Sequence, residues 1–196
     1  APSFVSLKLM NNFRQSGNGW YMPDIAAGGE GWALFKLVIK RNDIGEHPLE
    51  VLRCFLSFND KGGHEQLTEP VKLILEPLSP NAFEAVLEDE KVKSRIAEML
   101  VASYQREAIE AAQAGDWERV DSIVTQAKVI AKDDLWMQNS LASLEKYSRR
   151  RQREQFSKEA MYSSDRMNKR LVAGDEAHVS YSIGAELRKA SYLRRK

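Results

Sequence analysis

Apolar residues recur at every second position through the first part of the chain. In SFVSLKLM, Val5, Leu7 and Leu9 alternate with Ser6 and Lys8. In WALFKLVIK, Ala33, Phe35, Leu37 and Ile39 share one face. In LEVLRCFLSF, Leu52, Cys54, Leu56 and Phe58 fall on one side, with Arg53 and Ser57 on the other. In LTEPVKLIL, Val71, Leu73 and Leu75 repeat the pattern, and Pro70 marks an edge or a strand start because it has no N–H to donate. Period two with polar residues between predicts half-buried strands. Asn59–Gly63 (NDKGG) and Ala26–Gly31 (AAGGEG) supply the turn residues between them. Antiparallel strands with no helices between them predict a small β-sandwich over residues 1–78, incomplete without chain preceding Ala1.

Beyond the proline-rich stretch EPLSPN the period changes to three and four, so residues 82–172 are expected to be helical. Val92, Ile96, Met99, Ser103, Tyr104, Ala108 and Ala111 mark the inward face of a first helix. At AGDW, Gly115 suits a helix C-terminus and Asp116 an N-cap. A second helix turns Val120, Ile123, Val124, Ala127 and Ile130 inward. A third starts after Asp133 or Asp134 and carries Leu135, Met137, Leu141, Leu144 and Tyr147. Between Tyr147 and Phe156 lie eight residues without an apolar side chain, roughly 12 Å of helix. The apolar pattern then resumes at Phe156, Ala160, Met161, Met167 and Leu171. The reading is one long helix, or two in line, with a wet stretch in the middle. Residues 173–196 form a tail, broken by Gly174 and Gly184. The expected class is therefore α+β: an antiparallel sandwich, then a helical hairpin with a long third helix.

Charge sharpens one question. The formal net charge is +1 over 196 residues, but residues 81–147 hold eight Lys and Arg against thirteen Asp and Glu. Residues 148–196 reverse this, with thirteen against six. Arg149, Arg150, Arg151 and Arg153 crowd into five positions, and Lys169, Arg170 and the terminal Arg194, Arg195 and Lys196 extend the basic character. Such a run is a solvated helix face, an anion or phosphate contact, or a partner contact. The near-zero overall charge and the thin aromatic interleaving rank nucleic acid below protein as a partner. An acidic middle and a basic end leave a homo-oligomer open.

Site chemistry is sparse. His47, His64 and His178 are far apart, with no metal-ligand spacing. The single cysteine, Cys54, excludes an intrachain disulfide and reads as a buried small hydrophobe. GNG and AGGEG precede strands and lack the Lys-Ser/Thr of a phosphate loop. We therefore expect no catalytic, cofactor or metal residues. With no membrane span or signal-like segment, the expected compartment is the cytoplasm. The chain starts without methionine, so it is read as processed or as a piece of something longer.

Several pieces in this order resemble a known family. They are YMPDIAAGGEGWALFKLVI (Tyr21–Ile39), PLEVLRCFLSF, AAQAGDWERV (Ala111–Val120) and SKEAMY (Ser157–Tyr162). Over about residues 3–165 the chain is similar to the region after the A domain in bacterial von Willebrand factor A proteins of the inter-alpha-trypsin-inhibitor heavy-chain type. The resemblance implies a non-catalytic scaffold for protein–protein interaction. The A domain's Asp-x-Ser-x-Ser metal element is not in this sequence, so the resemblance carries no metal residue here.

Overall fold

The computed structural model describes residues 5–25, 31–40, 45–132 and 134–169. Eight strands and five helices lie in this range. The strands are β1 (Val5–Leu9), β2 (Arg14–Ser16), β3 (Gly19–Tyr21), β4 (Phe35–Ile39), β5 (Leu49–Cys54), β6 (Ser57–Asn59), β7 (Glu65–Leu67) and β8 (Val71–Leu75). The helices are α1 (Pro80–Glu84), α2 (Glu90–Ala114), α3 (Trp117–Ile130), α4 (Leu135–Arg149) and α5 (Arg153–Lys169). The mixed α and β content agrees with the sequence. The sandwich does not. Among the described residues the strands form four separate pairs, β1 with β4, β2 with β3, β5 with β8 and β6 with β7, and no sheet closes. The tail expected over 173–196 lies outside the described residues, as do Arg170 and Leu171.

The chain forms two compact units. One takes Ala1–Lys8 with Phe35–Glu88, the other Leu9–Leu34 with Asp89–Lys196. A division near residue 78 assigns residues 9–34 to the strand region; here they group with the helices.

In the first unit β5 and β6 run antiparallel to β8 and β7, making one interrupted hairpin from Leu49 to Leu75. Its tip is set by Asp60, whose Oδ1 accepts from Gly62 N at 2.8 Å and from His64 N at 3.0 Å. Those bonds, His64's first, hold the Asp60 carboxyl below its ordinary range. Gly63 takes φ 79°, which costs a glycine little. The pairing slips between Glu50 and Leu52, leaving Val51 as the extra residue of a bulge and burying it.

In the second unit α2 to α5 pack in a ring, each on its sequence neighbours and α5 back on α2. The core joins Val101, Ala102 and Ala108 of α2 to Val120 and Val124 of α3, Leu141 and Leu144 of α4, and Phe156, Ala160 and Met167 of α5. Local chemistry fixes the helix ends. Asp89, Asp116 and Asp134 cap α2, α3 and α4, each accepting backbone N–H bonds in the first turn. Gly115 ends α2 at φ 77°, with Gly115 N donating to Ala112 O and Asp116 N to Ala111 O. That pair of bonds is a Schellman closure.

A polar layer crosses the core. Buried Gln105 Nε2 donates to Ser140 Oγ at 3.1 Å and to Ser163 Oγ at 3.2 Å, and the two serines bond to each other. A misregistered helix would strand these groups, so the layer fixes how α2, α4 and α5 align.

Residues 9–34 are tied to the helices by Asn11. Its Nδ2 donates to Trp32 O at 3.1 Å and to Asn168 O at 2.9 Å, and its Oδ1 accepts from Leu34 N at 2.7 Å. Asn12 N donates to Asn168 Oδ1 at 3.1 Å. One of the orphan carbonyls at the end of α5 is satisfied in this way. Trp32 lies under the Arg95 guanidinium, 4.9 Å from ring centroid to carbon, and Arg95 pairs with buried Glu98.

Candidate interaction surfaces

The arginine run is a turn, not a continuous wet helix. Helix α4 ends at Arg149, Arg150 caps it and Arg151 sits at φ 52°. Arg151 N donates to Ser148 O at 2.8 Å and Gln152 N to Tyr147 O at 3.0 Å. These are the same two bonds that close α2, with arginine where α2 uses Gly115. Helix α5 then folds back and buries Phe156, which meets Trp117 edge to face at 6.1 Å.

Two of the four arginines are engaged within the helical unit. Arg149 donates to Glu145 at 2.8 Å, and Glu145 also receives Lys128. The Glu145 carboxyl is held below its usual range, first by the Lys128 hydrogen bond and then by Arg149. Arg151 pairs with Asp121 at 3.5 Å and lies over the Trp117 ring at 5.5 Å, while Asp121 also accepts from buried Ser148. Exposed Arg150 and Arg153 make no ion pair among the described residues. Lys169 closes α5, and Arg170 lies outside the described residues. Of the six basic positions the four arginines of the run can be placed, and Arg149 and Arg151 among them are drawn to carboxylates of the helical unit. The run's clearest role is to close and anchor a helical turn.

Arg151 is the first residue to test. Both Arg151→Gly and Arg151→Ala remove the guanidinium, so their difference isolates the backbone cost of positive φ. We expect Arg151→Ala to be less stable than Arg151→Gly by about 1 kcal/mol in urea unfolding. Equal stabilities would mean that position 151 is not held left-handed.

The other notable surface lies in the first unit. Pairing sets Leu49 opposite Leu75, Leu52 opposite Leu73, and Cys54 opposite Val71. Alternation in β8 puts Val71, Leu73 and Leu75 on one face, with Lys72 and Ile74 on the other. The second face is polar at its centre, where Glu50 bonds Arg53 and pairs with Lys72 at 3.7 Å. These partners, Arg53's hydrogen bond first, hold Glu50 below its ordinary range.

The first face is apolar and uncovered at one end. Val71 is 66% exposed and Leu73 40%, and Cys54 is exposed rather than buried as expected. Cys54 does share a face with Leu52, as the alternation predicts, but no described residue of the unit covers that end; the buried residue of β5 is Val51. Phe55, Leu56, Phe58 and Leu67 beyond it are all more than half exposed. Apolar surface this extensive commonly marks an interaction site.

Among the described residues no three His, Cys, Asp or Glu side chains gather as a metal site, and no helix is long and apolar enough to cross a membrane. No family model matches the chain, and no curated protein or solved structure was found similar to it.

Proposed function

We propose that this chain is a non-catalytic protein-interaction module. One observation carries the reading: the Leu49–Leu75 hairpin leaves an apolar face open, while the helical unit closes its own core. Apolar surface left open in this way commonly marks a place where a partner binds.

Placement within a von Willebrand factor A protein is part of the same proposal and rests on the motifs alone. AGDW, the most local of them, serves here as a helix C-terminus and an N-cap, chemistry that any tight helical hairpin needs. Among the described residues of the turn, Arg150 and Arg153 lie outside any ion pair and are what it offers to the anion-binding alternative. The interaction reading is tested by the reactivity of Cys54, the thiol on the open face. A protected thiol in the native chain would remove the reading's basis.

A further inference from the structure

Resting on the interaction reading, we propose that the partner is a second copy of this chain, joined edge to edge through β8. Among the described residues every sheet has two strands, and β8 pairs with β5 alone. No described residue pairs with its other edge, which presents a row of backbone donors and acceptors. The two edges of this sheet differ. Both strands follow a proline, Pro48 and Pro70, but β5 alone carries a bulge, at Val51, which discourages strand addition. β8 is regular over five residues and mostly apolar.

The sequence VKLIL is nearly self-complementary when two copies run antiparallel about Leu73. Val71 then faces the second copy's Leu75, Lys72 faces Ile74, and Leu73 faces Leu73. Residues directly opposite share a face, so the two open apolar faces merge into one. Lys72 stays beside its own Glu50 on the other face.

Neighbouring registers are worse. A one-residue slip sets the apolar face of one copy against the charged face of the other. Slipping two residues one way places Lys72 opposite Lys72, a like-charge pair. Two residues the other way bring Pro77, which has no N–H, into the ladder opposite Val71. Pro70 and Pro77 therefore bracket a short, defined edge.

The result is a four-stranded sheet, β5–β8 and its symmetry mate, in an isologous two-fold dimer. Four strands with one apolar face lie above the size at which a sheet becomes stable; two strands do not. Cys54 lies on β5, away from the axis, and stays reactive.

The experiment uses the full 196-residue chain. Light scattering coupled to size exclusion at about 100 µM, above the micromolar Kd expected for a small interface, should give twice the chain mass. Leu73→Lys places two charges on the axis and should restore the monomer mass. In case Leu73→Lys disturbs the hairpin itself, single-cysteine variants report the register independently. In a Cys54→Ser background, Leu73→Cys should cross-link to a disulfide dimer under mild oxidation. Val71→Cys should not, because its symmetry mate lies about 13 Å along the strand.

A dimer in which Val71→Cys cross-links and Leu73→Cys does not would overturn the β8 pairing. So would a monomer at that concentration. If that monomer also has a freely reactive Cys54, the interaction reading survives with a different partner; if Cys54 is protected, both fall.

Discussion

Phe156→Ala should cost the helical unit about 3–5 kcal/mol, the usual range for emptying a fully buried phenylalanine site. Phe156 is completely buried and is the largest such side chain among the described residues. It is also the first core residue after the arginine turn, and it meets Trp117 edge to face. Its loss empties the place where α5 folds back towards the start of α3. Phe156→Leu keeps most of the volume but loses the ring pair, and should cost about 1 kcal/mol beyond the change in packing. Chemical denaturation followed by circular dichroism measures both. A Phe156→Ala variant within 1 kcal/mol of the parent, an outcome well under the ~3 kcal/mol floor for such sites, would mean that α5 does not pack as described.

Asn11→Ala should be the next most damaging change, at about 2–3 kcal/mol, because it strands buried backbone groups that its amide now satisfies. Leu34 N loses its acceptor, and the carbonyls of Trp32 and Asn168 lose a donor. The consequence is local before it is global. Residues 9–34 should loosen from the helices, so their amides should exchange with deuterium faster while the core amides of α3 keep their protection. Exchange unchanged over 9–34 would show that the segment is held by something other than Asn11.

Much of the helical unit was legible because its rules are local. Gly115 and Asp116 ended one helix and started the next, and Asp134 capped the third, as their residue types imply. The inward face of α3 also followed the 3.6 period: Val120, Ile123, Val124 and Ala127 are buried. Failures occurred where a distant or irregular feature intervened. At the start of α2, Val92 and Ile96 were expected inward, yet both are more than 40% exposed while Arg95 and Glu98 are buried. Trp32, more than sixty residues earlier, sits against Arg95, and no periodicity within the helix can report it.

The arginine run was misread for a different reason. It contains no glycine, so nothing local announced a left-handed residue, and the break rests on Arg151 with Trp117 and Asp121 to hold it. Met161 was expected inward and is two-thirds exposed, while Ala160 and Met167 carry that face. In β4 the pattern held, with Phe35, Leu37 and Ile39 half-buried, but in the Leu49–Leu75 hairpin the alternation was right and the burial was wrong. A period-two pattern says which residues share a face, not whether anything lies above it. Cys54 illustrates this, being correctly placed beside Leu52 on a face that proved open.

That open face is the centre of the functional account, and Cys54 makes it measurable. The direct test is the rate at which a small thiol reagent modifies Cys54 in the native full-length chain, compared with the same chain in denaturant. The account predicts a native rate within about tenfold of the unfolded rate, equivalent to no more than ~1.4 kcal/mol of protection. A native rate slower by a thousandfold or more, about 4 kcal/mol of protection, would place Cys54 in a closed core and contradict the interaction surface proposed for the hairpin.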